Sequence, residues 1–366
     1  MEKQPVFLIG TSTTTHGGVG YVIAAYLNSD LQSQFRLVHI VTHRDGSGLT
    51  KGWTYAKALV RFVFLRLRLG GRLVHIHSSI GISFWRKSLL LCLAKLLGCR
   101  VIFQIHSGEF LEFYHARDGT RRRLIWHVLN AADQIVVLTS SWKEKIGGIP
   151  GNSSKITVIG NPVDTIKYKP RRSVENQGQH IELLFLGVLI RAKGVYDIIE
   201  CMCLLKEQGL PVRATLAGDR EIDQVRSASK NAGVEELIRL PGWVSEKQKI
   251  ELLNASDVLL LPSYAEGLPL SVLEAMAFGL PIICTNVGGL TDLVTDGENG
   301  FVSAPGDVQA LARSVAKLAN DSYLRRQMGL RNLQKIQNEF SLKTIAQRMG
   351  GLYRTARPIK ETKIIT

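Results

Sequence analysis

Two glutamates with seven residues between them, Glu266 and Glu274, stand in the segment PSYAEGLPLSVLEAMAFGLPIICTNVGG (262–289). Carboxylates so placed can accept hydrogen bonds from sugar hydroxyls. A helix starting between them offers unpaired backbone N–H groups to phosphate. A nucleotide-sugar asks for both. The spacing alone is weak, and a helix carboxylate plus an ordinary loop glutamate is the plain alternative. The context strengthens it. Val258–Pro262 is an apolar run that reads as a buried strand, and Pro269 suits the first turn of a helix. Leu270–Phe278 keeps a helical pattern, which Gly279 and Pro281 end. Glu266 is therefore expected in the loop after a strand. Leu270 and Ser271 would present N–H groups at the positive helix end, with Glu274 one turn on.

Other candidates close other strands. Ile181–Leu186 leads into GVLIRAKG, the loop Gly187–Gly194, whose Arg191 and Lys193 can neutralise a departing diphosphate; solvated loop cations are the alternative. Val6–Ile9 leads into TSTTTHGGVG, where Gly17, Gly18 and Gly20 let a phosphate or sugar approach the backbone, before a helix expected near Val19. This is not the G-x-G-x-x-G fingerprint, and no acid follows at the required distance, which argues against a nicotinamide enzyme. His106 ends the run Val101–His106, a strand-end position where site residues gather; a structural histidine is the alternative. In VHIHSS, His77 is expected to share the site and His75 to be structural. Glu109 reads first as a helix cap and second as an acceptor-side base. LAGD (216–219) and LPGW (240–243) end further strands in glycine turns. No D-x-D motif lies between apolar strands, so no bound metal and no cofactor are expected.

These residues need a scaffold of parallel strands. Short apolar runs alternate with helical stretches, at Val6–Ile9, Leu37–Val41, Leu73–His77, Val101–His106, Gln134–Thr139 and Lys155–Ile159, then Ile181–Leu186, Val212–Ala217, Ile238–Pro241, Val258–Leu261 and Pro281–Cys284. That rhythm predicts an α/β protein of two doubly wound, Rossmann-like domains facing across a crevice. The expected division is an N-terminal domain over 1–164, a polar linker over 165–180 and a second domain over 181–340. Residues 341–366 would form a helix and tail packing back on the first domain. With 366 residues, 45% of them hydrophobic, the chain can bury two cores. Five cysteines without a CxxC pair point to reduced thiols and a cytoplasmic setting. The brief apolar start does not read as a signal peptide, and no run reads as a transmembrane helix.

The motifs GVLIRAKG, AGD, LPGWVS, ASDVLLLPSYAEGLPLSVLEAMAFGLPIICTNVGG and DGENGFV together resemble retaining glycosyltransferases of family 4, with the GT-B architecture. HGGVG, VHIHS, QIHSGEF, VVLTSSWKEKI and VIGNPVD fit the looser first half. The resemblance implies a metal-independent hexosyltransferase acting on a nucleotide-sugar, with UDP as the expected carrier. It implies that Glu266 holds the transferred sugar, Glu274 the ribose hydroxyls and Lys193 the diphosphate, with backbone N–H donation from Leu270 and Ser271. His106 would touch the donor sugar, Gly17 and Gly18 would lie near the diphosphate and the acceptor, Gly187 would approach the donor and Val244 would contact the base, the first domain binding the acceptor and the second the nucleotide-sugar. The family usually carries G-R-L before its lysine. Val188 stands where that arginine is expected, and Arg191 is the candidate substitute. A non-hydrolysing sugar epimerase of similar fold and a non-catalytic sugar-nucleotide-binding protein are the competing readings.

Charge locates the acceptor side. Residues 1–175 hold 24 lysines and arginines against 10 acids, a net of +14, whereas the remainder holds 22 against 21. Within 52–72, Lys57, Arg61 and Arg68 fall on one side of a helical pattern beside apolar surface, and Arg121–Arg123 add to the cationic face. The expected partners are a glycan or lipid-linked acceptor and the anionic inner face of the cytoplasmic membrane, with peripheral attachment. A core helix with solvated basic residues is the alternative there. No nucleic-acid motif is present.

Overall fold

The computed structural model describes residues 3–15, 17–149, 151, 153–170 and 180–356. The chain divides into two units, Met1–Pro162 with Leu342–Thr366, and Val163–Ser341. The first contains β1 (Gln4–Thr11), β2 (Phe35–His43), β3 (Leu73–Ser78), β4 (Arg100–Ile105), β5 (Gln134–Val137) and β6 (Ile156–Val158), in the order β2-β1-β3-β4-β5-β6. The second contains β7 (Ile181–Leu186), β8 (Val212–Ala217), β9 (Ile238–Gly242), β10 (Val258–Leu261), β11 (Ile282–Thr285) and β12 (Gly300–Ser303), in the order β12-β11-β10-β7-β8-β9. Every pairing in both sheets is parallel.

Parallel strands need helical crossovers, and helices on both faces bury the strands on both sides. This is why β10 and β11 are buried at every position and read as continuous apolar runs. Each sheet winds outward in two directions from a switch point, between β1 and β3 in the first unit and between β7 and β10 in the second. The loops leaving those strands diverge there, which opens a ligand crevice at their carboxyl ends.

The helix Leu342–Thr355 belongs to the first unit. Its Ile345, Met349 and Tyr353 join Val6, Leu8, Tyr26 and Phe35 in one core, and the Phe35 and Tyr353 rings meet edge to face at 5.3 Å. The second unit begins at Val163, whose N–H donates to the Phe340 carbonyl at 2.8 Å. Part of the polar stretch 165–180 is no linker. Tyr168 is buried there, with its ring 6.3 Å from that of Phe278. Residues 171–179 and the tail 357–366 lie outside the described residues.

Three elements escape the sequence reading. β12 is four residues long and starts on a glycine. The helix Ser322–Lys335 buries Met328, Gly329 and Asn332, so its inner face does not look apolar. Asn332 is instead satisfied by polar contacts, donating to the carbonyls of Leu280 (2.7 Å) and Asn299 (2.9 Å). A π-helical turn, Ile336–Phe340, follows.

In the first unit the helix Gly48–Leu69 is capped by Ser47, which accepts from the Thr50 N–H, and ended by left-handed Gly70. It buries Ala58 and Phe62 on one side. On the other, Leu49, Trp53, Val60, Phe64 and Leu67 are exposed. At about 100° per residue these five share an arc of about 60°. Lys57, Arg61 and Arg68 border it, with the Lys57 ammonium 5.1 Å from the Trp53 ring centroid. Among the described residues no helix is long and apolar enough to cross a membrane.

Candidate functional site

In the second unit, the loops after the two switch-point strands carry the paired charges. Glu266, after β10, accepts from the Lys193 ammonium at 2.7 Å and from the Ser263 hydroxyl at 2.7 Å. Lys193 follows β7, in the short 3-10 turn Arg191–Lys193. It also donates to the Ala265 carbonyl at 3.3 Å. The loops are joined by a backbone bond from Tyr264 N–H to the Ala192 carbonyl, 2.9 Å. Glycine makes this approach possible. At Gly194, with φ +71°, a Cβ would stand 2.1 Å from the Pro262 carbonyl oxygen, and at Gly288, with φ +54°, 1.8 Å from that of Glu266.

Helix Leu270–Ala277 starts directly after this loop. Pro269 is its N-cap rather than part of its first turn, and supplies no side-chain cap. The N–H groups of Leu270 and Ser271 therefore have no intrahelical acceptor and point out of a positive helix end. Glu274, one turn on, is buried, and Lys249 donates to its Oε1 at 2.6 Å. Burial pushes the Glu274 carboxyl above its usual range, while Lys249 and the Tyr168 hydroxyl pull it partly back. Lys249 lies in the helix Glu246–Ala255, which opens with a Ser245/Gln248 capping box directly after Val244. Gly187 closes β7 and donates its N–H to the Ala217 carbonyl at 3.1 Å. Arg191 is exposed, its guanidinium over the Tyr196 ring at 5.0 Å.

In the first unit Gly17 is the N-cap of helix Gly18–Leu27, again without a side-chain cap. Gly17, Gly18 and His77 line a cavity of about 290 Å³ at that sheet's switch point, together with Thr15, Ser79, Arg86 and Lys87. His106 and His77 stack with ring centroids 5.2 Å apart, and His77 Nδ1 bonds His106 Nε2 at 3.0 Å. Burial lowers both; His106 falls to about 3, so both rings are neutral near pH 7. His75 is structural. Its nitrogens pair with the Tyr353 hydroxyl (2.7 Å) and Gln104 Oε1 (2.9 Å). Glu109 sits at the N-cap of helix Phe110–His115, yet its side chain makes no capping bond.

Comparison with known proteins joins the two halves. Residues 19–167 match the family described as Glycosyltransferase Family 4, and residues 167–334 match Glycosyl transferases group 1. The chain belongs to the group 1 glycosyl transferases. It is 26% identical over 263 residues to the putative colanic acid biosynthesis glycosyltransferase WcaL of Salmonella typhimurium, covering 68% of this chain and 64% of that protein. The chain thus spans just under two thirds of that relative's length. Among solved structures, sucrose-phosphate synthase from Thermosynechococcus elongatus superposes with a TM-score of 0.80 at 19% identity, covering 96% of this chain and 99% of that one. Anabaena HepE, solved in complex with UDP and glucose, does so with a TM-score of 0.76 at 17% identity, over 96% and 100%. At these identities the structural likeness is one of fold, the GT-B architecture.

Four polar residues beside the candidate groups were not singled out by sequence. Ser263 and Lys249 carry no distinctive pattern, since only the fold brings them to Glu266 and Glu274. Lys87, unlike its neighbour Arg86, had a signal. Phe84, Lys87, Ser88, Leu91 and Ala94 recur at helical spacing and are all buried, so Lys87 falls on the inward stripe of an apolar helix.

Proposed function

We propose that this glycosyltransferase moves a hexose from a nucleotide-sugar, UDP-linked, to a glycan or lipid-linked acceptor with retention at the anomeric carbon and without a bound metal. The observation that carries the reading is the Lys193–Glu266 pair, 2.7 Å apart in the loops after β7 and β10, beside the uncapped helix start at Leu270. Glu266 would orient the sugar, Glu274 the ribose hydroxyls, and Lys193 with the Leu270 and Ser271 N–H groups the diphosphate. The bond from the anomeric carbon to the diphosphate oxygen breaks, and a bond to the acceptor oxygen forms on the same face. The acceptor's proton passes to the departing phosphate oxygen. A nucleoside diphosphate leaves readily once its charge is stabilised, so these donors suffice without a strong acid. Neutral His106 would hydrogen-bond the sugar, Val244 would meet the base, and the backbone at Gly17, Gly18 and Gly187 would let the donor approach. Arg191 would lend the second cation that Val188 lacks.

The product class we propose is a cell-surface polysaccharide, lipopolysaccharide or glycolipid, made at the cytoplasmic face of a membrane. The likeness to WcaL, a putative colanic acid biosynthesis glycosyltransferase, supports the first of these, and UDP in the HepE structure supports the carrier. The exposed apolar stripe of Gly48–Leu69, bordered by Lys57, Arg61 and Arg68, suits an anionic bilayer.

A panel of UDP-, GDP- and ADP-sugars scored by nucleotide release tests the donor. Glu266→Gln should lower turnover by about 100-fold or more while nucleotide binding holds. Glu274→Gln should weaken nucleotide binding roughly tenfold. Wild-type turnover in Glu266→Gln would sink the assignment. Unchanged turnover in Arg191→Ala would remove that residue from the clamp.

A further inference from the structure

The first unit's cavity holds a cation with no counter-ion among the described residues. Lys87 is 3% exposed, and its ammonium donates to the Ser83 hydroxyl at 3.1 Å, on its own helix. Among the described residues no carboxylate lies within 4.0 Å of the charged nitrogens of Lys87 or Arg86. Burying an ammonium is costly unless it is paired. Arg86, the next residue, adds a second positive charge. Its Nη1 stands 3.5 Å from His43 Nδ1, and its Nε is buried without a partner. His77 is wholly buried, and its Nε2 is likewise without a partner. All five residues line the cavity of about 290 Å³, whose one carboxylate among the described lining residues is Asp45.

We propose that this cavity is the acceptor subsite and that Lys87 and Arg86 bind an anionic group, a phosphate or a carboxylate, carried by the acceptor. The inference rests on the transferase reading and names the acceptor's chemistry, which neither family match states. Three observations converge. The cavity lies at the sheet's switch point, between the loops after β1 and β3, where ligands of such sheets bind. Two adjacent cations face it, unpaired by any acid among the described residues. Its buried polar atoms at His77 and Arg86 wait for partners, which native interiors rarely leave unmet. Burial, with Arg86 beside it, draws the Lys87 ammonium down to about 7. An arriving anion would restore its charge. A neutral sugar would leave the ammonium as costly as before, so discrimination against uncharged acceptors is built in.

The test is calorimetric titration of the full chain, at constant ionic strength, with inorganic phosphate, inorganic pyrophosphate and glucuronate. At least one anion should bind the wild type, and its affinity should fall about tenfold or more in Lys87→Met and in Arg86→Gln. The event that Lys87 and Arg86 control should persist in Lys193→Met, whereas pyrophosphate held by the diphosphate groups of the second unit should be lost there, which separates the two sites. Binding of the phosphates assigns a phosphate-bearing acceptor, and binding of glucuronate alone an acidic sugar. Lys87→Met should melt no lower than wild type, since it removes a buried charge and breaks no ion pair. Anion binding that is absent, or that survives both substitutions, overturns the proposal, as does a lowered melting point in Lys87→Met. These readouts use no donor, so nucleotide release can fail while anion binding stands, and the reverse.

Discussion

Glu274 and Lys249 illustrate how a buried ion pair differs from a surface one. Both are largely withdrawn from water, with side chains 4% and 19% exposed, and Oε1 and Nζ stand 2.6 Å apart. Removing one partner leaves the other desolvated, whereas removing both restores a neutral interior. Lys249→Met should therefore cost about 3 kcal/mol in urea denaturation. The double variant Lys249→Met/Glu274→Gln should recover most of that. Equal losses in the single and double variants would show that the two are not coupled. Exposed pairs such as Arg226–Asp223 (51% and 90% exposed) should contribute little. At this scale the sequence was half legible. Glu266 and Glu274 announced themselves through a strand, a proline and a glycine stop, all local in the chain. Lys249 lies 25 residues from Glu274, and no local pattern could have paired them.

Strands β3 and β4 bring together three histidines whose titration acts on their whole unit. His75, His77 and His106 are all held below the ordinary histidine value, chiefly by burial, with His75 and His106 near 3. The folded pKa is below the unfolded one, so the unfolded chain takes up protons first as pH falls. Stability from these groups is complete above about 6.5 and is lost progressively toward 3. At pH 5 the loss is roughly 2 kcal/mol for each fully buried ring. Denaturant midpoints measured at pH 7.5, 6.0 and 5.0 should fall steadily; a flat profile would contradict it. The helix Gly48–Leu69 makes a different prediction, because its apolar stripe is left exposed among the described residues. The protein should float with vesicles rich in anionic lipid and not with zwitterionic ones, and salt should weaken the attachment. Trp53→Asp/Phe64→Asp should cut it about tenfold or more. Flotation indifferent to lipid charge would count against the proposal. Elements of this kind were legible where one period dominates, as in the apolar runs of β10 and β11. They were not where polar groups occupy the core face, as Asn332 does.

At the scale of the whole molecule, each sheet places chemistry beside its own switch point. In one unit the loops after β7 and β10 meet in the Lys193–Glu266 pair, and in the other the loops after β1 and β3 enclose the cavity with Lys87. The alternation of strands and helices revealed both sheets. It could not reveal strand order, which depends on pairings such as β10 with β7, more than seventy residues apart. Tyr353 extends this logic furthest. Its hydroxyl bonds His75 across 278 residues of chain, and its helix closes the core against β1 and β2. During synthesis the ribosome delivers β1 to β6 first, yet their core stays open until the helix Leu342–Thr355 emerges. The segment 163–341 is complete before that moment. Nascent chains stalled ahead of Leu342 should thus carry a protease-resistant second unit behind an unfinished, protease-sensitive first one. Early-made residues that wait for so distant a helix need protection meanwhile, and pulse proteolysis of stalled chains would measure how long that wait lasts.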